Sequence, residues 1–306
     1  MTHDDVQLVF IGGAPRSGTT LVRRMLNAHP DVYAGPEFDI LPELIRVRDL
    51  ARDKVRIGRI DAIVDEAGVD AAFAGAIQTM LAPRARRDGA RVYAEKTPSN
   101  VGVFPQLLEM FPEARCILVL RDPRAVAASM KEVHRRYREA GDRPPVFIRD
   151  VHASVREINR LLTLGFAALS AHPDRVLALH YEDLVDDPAA GAQRICAFLG
   201  LPFSTRMLEV EKQSHDRPKV AEVSRWYSDQ DFNRPIEATR REAWGQVLTP
   251  AEAGVVAAGV LPHPLLERYA LGSQPVTWGV RGHWVLNALR QTMRRVGRAV
   301  ARRIPQ

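Results

Sequence analysis

The chain is poor in cysteine and in lysine, and it has no long apolar run. Cys116 and Cys196 are its only cysteines in 306 residues, too few and too far apart for a disulfide framework or a metal-ligand spacing. No stretch of 18 apolar residues occurs, which argues against an ordinary membrane-spanning helix. The N-terminal MTHDD is acidic and runs directly into an apolar segment, without the basic and apolar regions of a signal peptide. These absences predict a protein of the reducing cytoplasm. Lysine occurs five times (Lys54, Lys96, Lys131, Lys212, Lys219) against 38 arginines, so each lysine invites a specific explanation. The remaining composition, 46% hydrophobic and 26% charged, is that of an ordinary folded chain.

Charge is unevenly placed. The formal net charge is +6, yet residues 268–306 hold eight arginines and no acid. Removing those eight from the 43 basic residues leaves 35 against 37 acidic ones, so the body is slightly acidic and the tail carries the basic character. The predicted organisation is a single domain over 1–272 and a tail over 273–306.

Apolar strand-like runs at 6–12, 91–94, 115–121 and 175–180 each precede a turn and a helical pattern. That alternation predicts an α/β fold with a mainly parallel sheet flanked by helices. In such sheets ligands gather at the carboxyl ends of the strands, here the loops after residues 12, 94, 120 and 180. Segments 40–83 and 146–171 read as helical roofs, GDRPP at 141–145 as a loop, and 205–235 as a long polar loop of the kind that serves as a lid.

The first of those loops lacks a lysine. Gly13, Ala14, Pro15, Arg16, Ser17, Gly18, Thr19 and Thr20 follow a strand and open a helix, which is the frame of a P-loop. Backbone N–H groups of such a loop converge on an anion, and the helix adds its positive end. A triphosphate-binding loop carries Lys before the Ser/Thr, where this chain has Gly18. The cation is Arg16 instead, whose planar fork suits a single oxyanion. A second loop, Arg121–Asp122–Pro123, combines a strand-end arginine with a favoured N-cap and a favoured first helical residue. It forms a second anion site, with Ser129 farther along the helix.

The segments PRSGTTL, AHPDVYAGPE, KTP, VLRDPRAVAASM and HYEDLV, in that order over residues 6–245, resemble the sulfotransferases that use 3′-phosphoadenosine-5′-phosphosulfate (PAPS). Within them the likeness is to tyrosylprotein and Golgi-type carbohydrate sulfotransferases, with a P-loop NTPase-like fold. The resemblance implies that Arg16, Ser17, Gly18, Thr19 and Thr20 hold the 5′-phosphosulfate, and Arg121 and Ser129 the 3′-phosphate. It also implies that Tyr181, Ser224 and Arg234 contact the nucleotide, whose spent form is adenosine 3′,5′-bisphosphate. Two departures stand out. Val133 takes the place of a basic residue that helps bind the 3′-phosphate, leaving Lys131, His134 or Arg135 as substitutes. Pro36, Phe38 and Asp39 around Glu37 differ from the tyrosylprotein pattern.

Sulfuryl transfer to a hydroxyl needs in-line geometry, charge stabilisation on the departing oxygen and a base for the acceptor proton. Fixed cations and backbone donors supply the stabilisation without a metal. Glu37 is the expected general base. Cytosolic sulfotransferases use a histidine two residues after the lysine of a KTH segment, and Pro98 stands there in this chain. Lys96 and Arg16 are then the expected electrophilic cations. Glu95 reads as a locally paired carboxylate, His29 and His180 as turn or core residues, and Trp226, Tyr227 and Trp244 as packing in the first place, with stacking on adenine or acceptor as the alternative. The acceptor is a hydroxyl of a carbohydrate, a lipid-linked or small molecule, or a protein tyrosine. No nucleic-acid module is visible, and the sequence carries no statement of oligomeric state.

In the tail, Leu286, Leu289, Met293, Val296, Val300 and Ile304 share one helical face and five arginines another. Such a helix over 280–304 suits a peripheral membrane contact or docking on the body. Two other readings remain at this stage: a P-loop kinase, and a non-catalytic nucleotide-binding protein held at a membrane by its tail.

Overall fold

The computed structural model describes residues 6–212, 225–227, 235–237 and 243–271. Ser224, Arg234 and the tail expected at 273–306 lie outside the described residues. By packing, the chain divides into two compact units, 1–121 with 160–238, and 122–159 with 239–306.

The first unit is built on five parallel strands: β1 (Gln7–Gly13), β2 (Val32–Tyr33), β3 (Val92–Lys96), β4 (Arg115–Leu120) and β5 (Val176–His180), in the order β2-β3-β1-β4-β5. The near-continuous apolar sequence of β1 and β4 follows from burial on both faces. Val9, Ile11, Ile117 and Val119 pack with Val22, Met25 and Leu26 of α1 (Thr19–Asn27) in one hydrophobic cluster. Register places Ile11 opposite Lys96 on one side of β1 and Gly13 opposite Val119 on the other. The ends of β3, β1 and β4 therefore lie side by side, with the phosphate-cradle sequence leaving the central one.

The expected helical stretch over 40–83 is two helices, α2 (Leu41–Arg56) and α3 (Glu66–Arg87). The break falls where Gly58 takes a left-handed φ of 69° and Asp65 caps α3 by accepting from the Gly68 N–H at 2.7 Å. The inner side of α2 is fixed by charge. Arg48, 2% exposed, reaches Asp49, Asp70 and Glu109, the last on α4 (Phe104–Met110).

The second unit contains α5 (Pro123–Glu139), opened by Asp122 accepting from the Arg124 N–H at 2.8 Å with Pro123 at the first position, as the sequence predicts. α6 (Val151–Ala171) occupies the expected 146–171 segment and continues past residue 159 into the first unit. After it come α7 (Tyr181–Asp186) and α8 (Pro188–Leu199) of the first unit, and α9 (Trp244–Val247) and α10 (Pro250–Gly259) of the second. Thr249 and Glu252 close a reciprocal capping box on α10. Lys131 on α5 donates to both oxygens of Glu252 at 2.7 and 2.9 Å, and Arg135 pairs with Glu132 and Glu139. Lys131 and Arg135, two of the three cations expected to substitute for the basic residue that Val133 displaces, are thus committed to carboxylates of their own unit.

Candidate active site

The loop before Glu37 is pinned from two sides. Arg23 on α1, buried, donates to the Ala34 and Gly35 carbonyls at 3.1 and 3.3 Å, and Asn27 accepts from the Ala34 N–H at 3.0 Å. Just after Glu37, the Phe38 N–H donates to Glu95 at 2.9 Å. Glu95 is wholly buried at the end of β3 and also accepts from Thr97 Oγ1 at 2.7 Å and from Asn100 Nδ2. It is the locally paired carboxylate expected from sequence. Burial, opposed by those hydrogen bonds and aided by the nearby Glu37, pushes its pKa up to about 7.

Glu37 then faces Lys96. The two form an ion pair, and Tyr227 joins both: its hydroxyl donates to Glu37 Oε1 at 2.9 Å and accepts from Lys96 Nζ at 3.2 Å. Burial draws the Lys96 pKa down, while Tyr227 and Glu37 push it up, and the net direction is upward. The ammonium therefore keeps its charge at neutral pH. Two of its three N–H donors are used by these contacts. Tyr227 also lies under Arg16, whose guanidinium carbon is 5.3 Å from the ring centroid, against 5.4 Å for Lys96 Nζ. The sequence marks Tyr227 only as packing or as a stacking surface, not as a partner of Glu37. Its signal was absent because a single tyrosine in a polar loop has no spacing that ties it to Glu37, 190 residues away.

The cradle itself is strained and close-fitting. Arg16 adopts a left-handed φ of 75° and donates to the Trp226 carbonyl at 2.6 Å, while Arg121 donates to the Arg16 carbonyl at 3.1 Å. Gly18 has φ 105°, and a Cβ there would meet the Tyr181 ring at 2.5 Å. The Arg121 guanidinium lies over that same ring at 4.3 Å. Arg16, Gly18, Arg121 and Tyr181 are thereby brought together as expected, with Thr19 and Thr20 opening α1. Ser129 lies on α5, in the other unit. Ser17 Oγ is buried and has no hydrogen-bond partner among the described residues. A buried hydroxyl in that state, beside a glycine-rich turn and two arginines, suits an anionic ligand oxygen. The residues present thus fit a phosphosulfate group.

His29 is a turn residue: Nδ1 accepts from the Asp31 N–H at 3.0 Å and Nε2 faces the Pro202 carbonyl at 2.8 Å. Trp244 packs under Arg124 at 4.4 Å.

A parallel sheet ending in a phosphate cradle, with a carboxylate and a buried cation beside it, defines a class of group-transfer protein, and comparison gives the family. The sulfotransferase family model matches residues 8–205, and the chain belongs to the sulfotransferase family. It is 33% identical over 213 residues to protein-tyrosine sulfotransferase 1 of Danio rerio, covering 69% of this chain and 58% of that protein. It is 34% identical over 234 residues to a putative protein-tyrosine sulfotransferase of Caenorhabditis briggsae, covering 74% and 75%. Against protein-tyrosine sulfotransferase 2 of Gallus gallus it is 33% identical over 216 residues, 68% of this chain and 55% of that one. The chain thus spans a little over half the length of the zebrafish and chicken relatives. Among solved structures, the sulfotransferase domain from the curacin biosynthetic pathway shares the fold, with a TM-score of 0.56 at 23% identity over 87% of this chain and 96% of that one.

These relatives correct the expectation of a cytoplasmic setting, since protein-tyrosine sulfotransferases are Golgi membrane enzymes. The physical weakness of that expectation lay in the cysteines: Cys116 and Cys196 are buried, unpaired thiols, which either compartment accommodates. Among the described residues, no helix is long and apolar enough to cross a membrane.

Proposed function

We propose that this chain transfers a sulfuryl group from PAPS to a hydroxyl acceptor, with Glu37 as general base and Lys96 and Arg16 as the stabilising cations. The observation that carries the reading is the contact of Glu37, Lys96 and Tyr227 over the ends of β1 and β3, with Arg16 on the same tyrosine ring. PAPS supplies an activated sulfuryl group, which bonds to the acceptor oxygen as its bond to the 5′-phosphate oxygen breaks and that oxygen keeps the electron pair.

Arg16, Ser17, Gly18, Thr19 and Thr20 hold the 5′ end, and Arg121 with Tyr181 the nucleotide side. Glu37 accepts the proton of the acceptor hydroxyl, and its partly open side chain gives an acceptor access to it. Lys96, buried and charged, offers its remaining N–H to an anionic oxygen where negative charge develops. Tyr227 fixes both partners of the ion pair. The relatives' names make a protein tyrosine the first acceptor to test, while Pro36, Phe38 and Asp39 beside Glu37 depart from the tyrosylprotein pattern.

Incubation with sulfur-labelled PAPS and a panel of tyrosine peptides, saccharides and lipid-linked alcohols tests the reading. Labelled ester formed by the native chain and absent for Glu37→Gln is the expected result. Phosphoryl transfer from ATP and Mg²⁺, with no labelled ester on any acceptor, contradicts it.

A further inference from the structure

Two consecutive residues of β3 hold two consecutive residues of the loop that carries Glu37. Lys96 pairs with the Glu37 side chain, and Glu95 accepts from the Phe38 N–H at 2.9 Å. Both β3 side chains are buried. The hold continues into α2, because the Phe38 carbonyl accepts from the Leu41 N–H at 3.1 Å. The N-cap residue of that helix is Ile40, which supplies no side-chain cap, so the first turn is anchored to the sheet through Phe38.

A wholly buried carboxyl is costly unless its oxygens are met, and three donors from separate places converge on Glu95. The Phe38 N–H and Thr97 Oγ1 share Oε1, while Asn100 Nδ2 takes Oε2. Thr97 precedes, and Asn100 lies in, the 3₁₀ helix Pro98–Val103. These two fix the carboxyl from the side of β3, and Phe38 links it to the Glu37 loop. An apolar residue at 95 would strand all three donors. A glutamine would still accept from Phe38 and Thr97 through its one oxygen.

The link matters because of how Glu37 is used. Lys96 and Tyr227 both meet its Oε1, which leaves Oε2 for the proton of an acceptor. The direction of Oε2 follows from the backbone at 37, and a misplacement of about 1 Å can cost about 10²-fold in rate. We propose that Glu95 is a positioning residue of the transfer reaction, holding the Glu37 backbone through the Phe38 N–H so that Oε2 faces the acceptor. The inference rests on the reading of Glu37 as general base.

Amide hydrogen exchange and kinetics test it together. The Phe38 amide of the native chain should be protected. Glu95→Met keeps the side-chain length and removes the acceptor, so that amide should exchange at least about tenfold faster. Its kcat should fall by about tenfold or more, with the KM for PAPS within about twofold because the cradle is untouched. Glu95→Gln should recover most of both the protection and kcat. In a Glu37→Gln background Glu95→Met should add little further loss, since a residue that acts through Glu37 has nothing to position once the base is gone. An unprotected Phe38 amide in the native chain overturns the proposal even where the methionine variant fails to fold. Losses that multiply in the double variant, or a glutamine variant as slow as the methionine one, also overturn it. Native turnover in Glu37→Gln overturns it by removing the base it rests on, a result told apart because Phe38 protection then still follows residue 95.

Discussion

Glu37 and Lys96, 59 residues apart in sequence, meet in an ion pair whose lysine side chain is 2% exposed while the glutamate retains 30%. The asymmetry separates their tasks. A cation sealed from water is an effective electrostatic stabiliser, and a carboxylate still open on one side is accessible to a substrate proton. Glu37→Gln keeps the shape and removes the proposed base, so turnover should fall by about 10²–10⁴-fold with affinity for adenosine 3′,5′-bisphosphate nearly unchanged. Lys96→Met should cost about 10²–10³-fold in turnover. Steady-state assays beside bisphosphate titrations check both.

Tyr227 separates by atom. Tyr227→Phe deletes the hydroxyl that touches Glu37 and Lys96 but keeps the ring under Arg16. Its turnover should drop by about tenfold, the scale of one or two lost hydrogen bonds, with little change in the donor KM. Tyr227→Ala removes the ring as well and should raise that KM. Equal effects of the two variants on both constants argue that the hydroxyl has no role of its own.

Glu95 makes stability depend on pH in an unusual direction. Its folded pKa of about 7 exceeds the 4.5 of an unperturbed carboxyl, so between those values the folded protein retains a proton that the unfolded chain has lost. Stability from this site therefore falls as pH rises, by about 3 kcal/mol across the window. The buried Asn100 Oδ1, which has no partner among the described residues, becomes an acceptor for the protonated carboxyl once the amide is turned over. Denaturant melts at pH 5 and pH 8 should show a larger decline for the native chain than for Glu95→Gln, which has no titrating group there. Parallel declines reject the shift.

Gly18→Ala places a side chain at φ 105° and against the Tyr181 ring. The expected cost is about 2 kcal/mol in stability, with bisphosphate affinity reduced at least about tenfold. Adding Tyr181→Ala should relieve the steric part and leave the torsional part, so thermal melts of the pair divide the two contributions. No stability change in the single variant contradicts the geometry.

Much of the frame was legible because it rests on local pattern. The four longer strands, the cradle, the Asp122 cap and the first helix follow from apolar runs and turn chemistry in short windows. β2 has only Val32 and Tyr33, too short for any periodicity, and the split of 40–83 depended on one left-handed glycine and one cap. For the candidate site, loop chemistry and the family resemblance pointed to Arg16, Glu37, Lys96 and Arg121. What no window contained was the closure of Glu37 on Lys96, or the arrival of Tyr227 from a distant loop. The first contact arises because β2 and β3 are neighbours, a property of the sheet order and not of any segment, and the second from a loop 190 residues beyond Glu37.

Under the proposed function, a cradle without lysine, beside Arg121, serves a nucleotide with phosphates at two ends. Calorimetric titration with adenosine 3′,5′-bisphosphate, set against ATP with Mg²⁺, addresses it directly. Micromolar binding of the bisphosphate, weakened at least about tenfold by Arg121→Ala, is the predicted result. Tight binding of ATP with Mg²⁺ and none of the bisphosphate would contradict it.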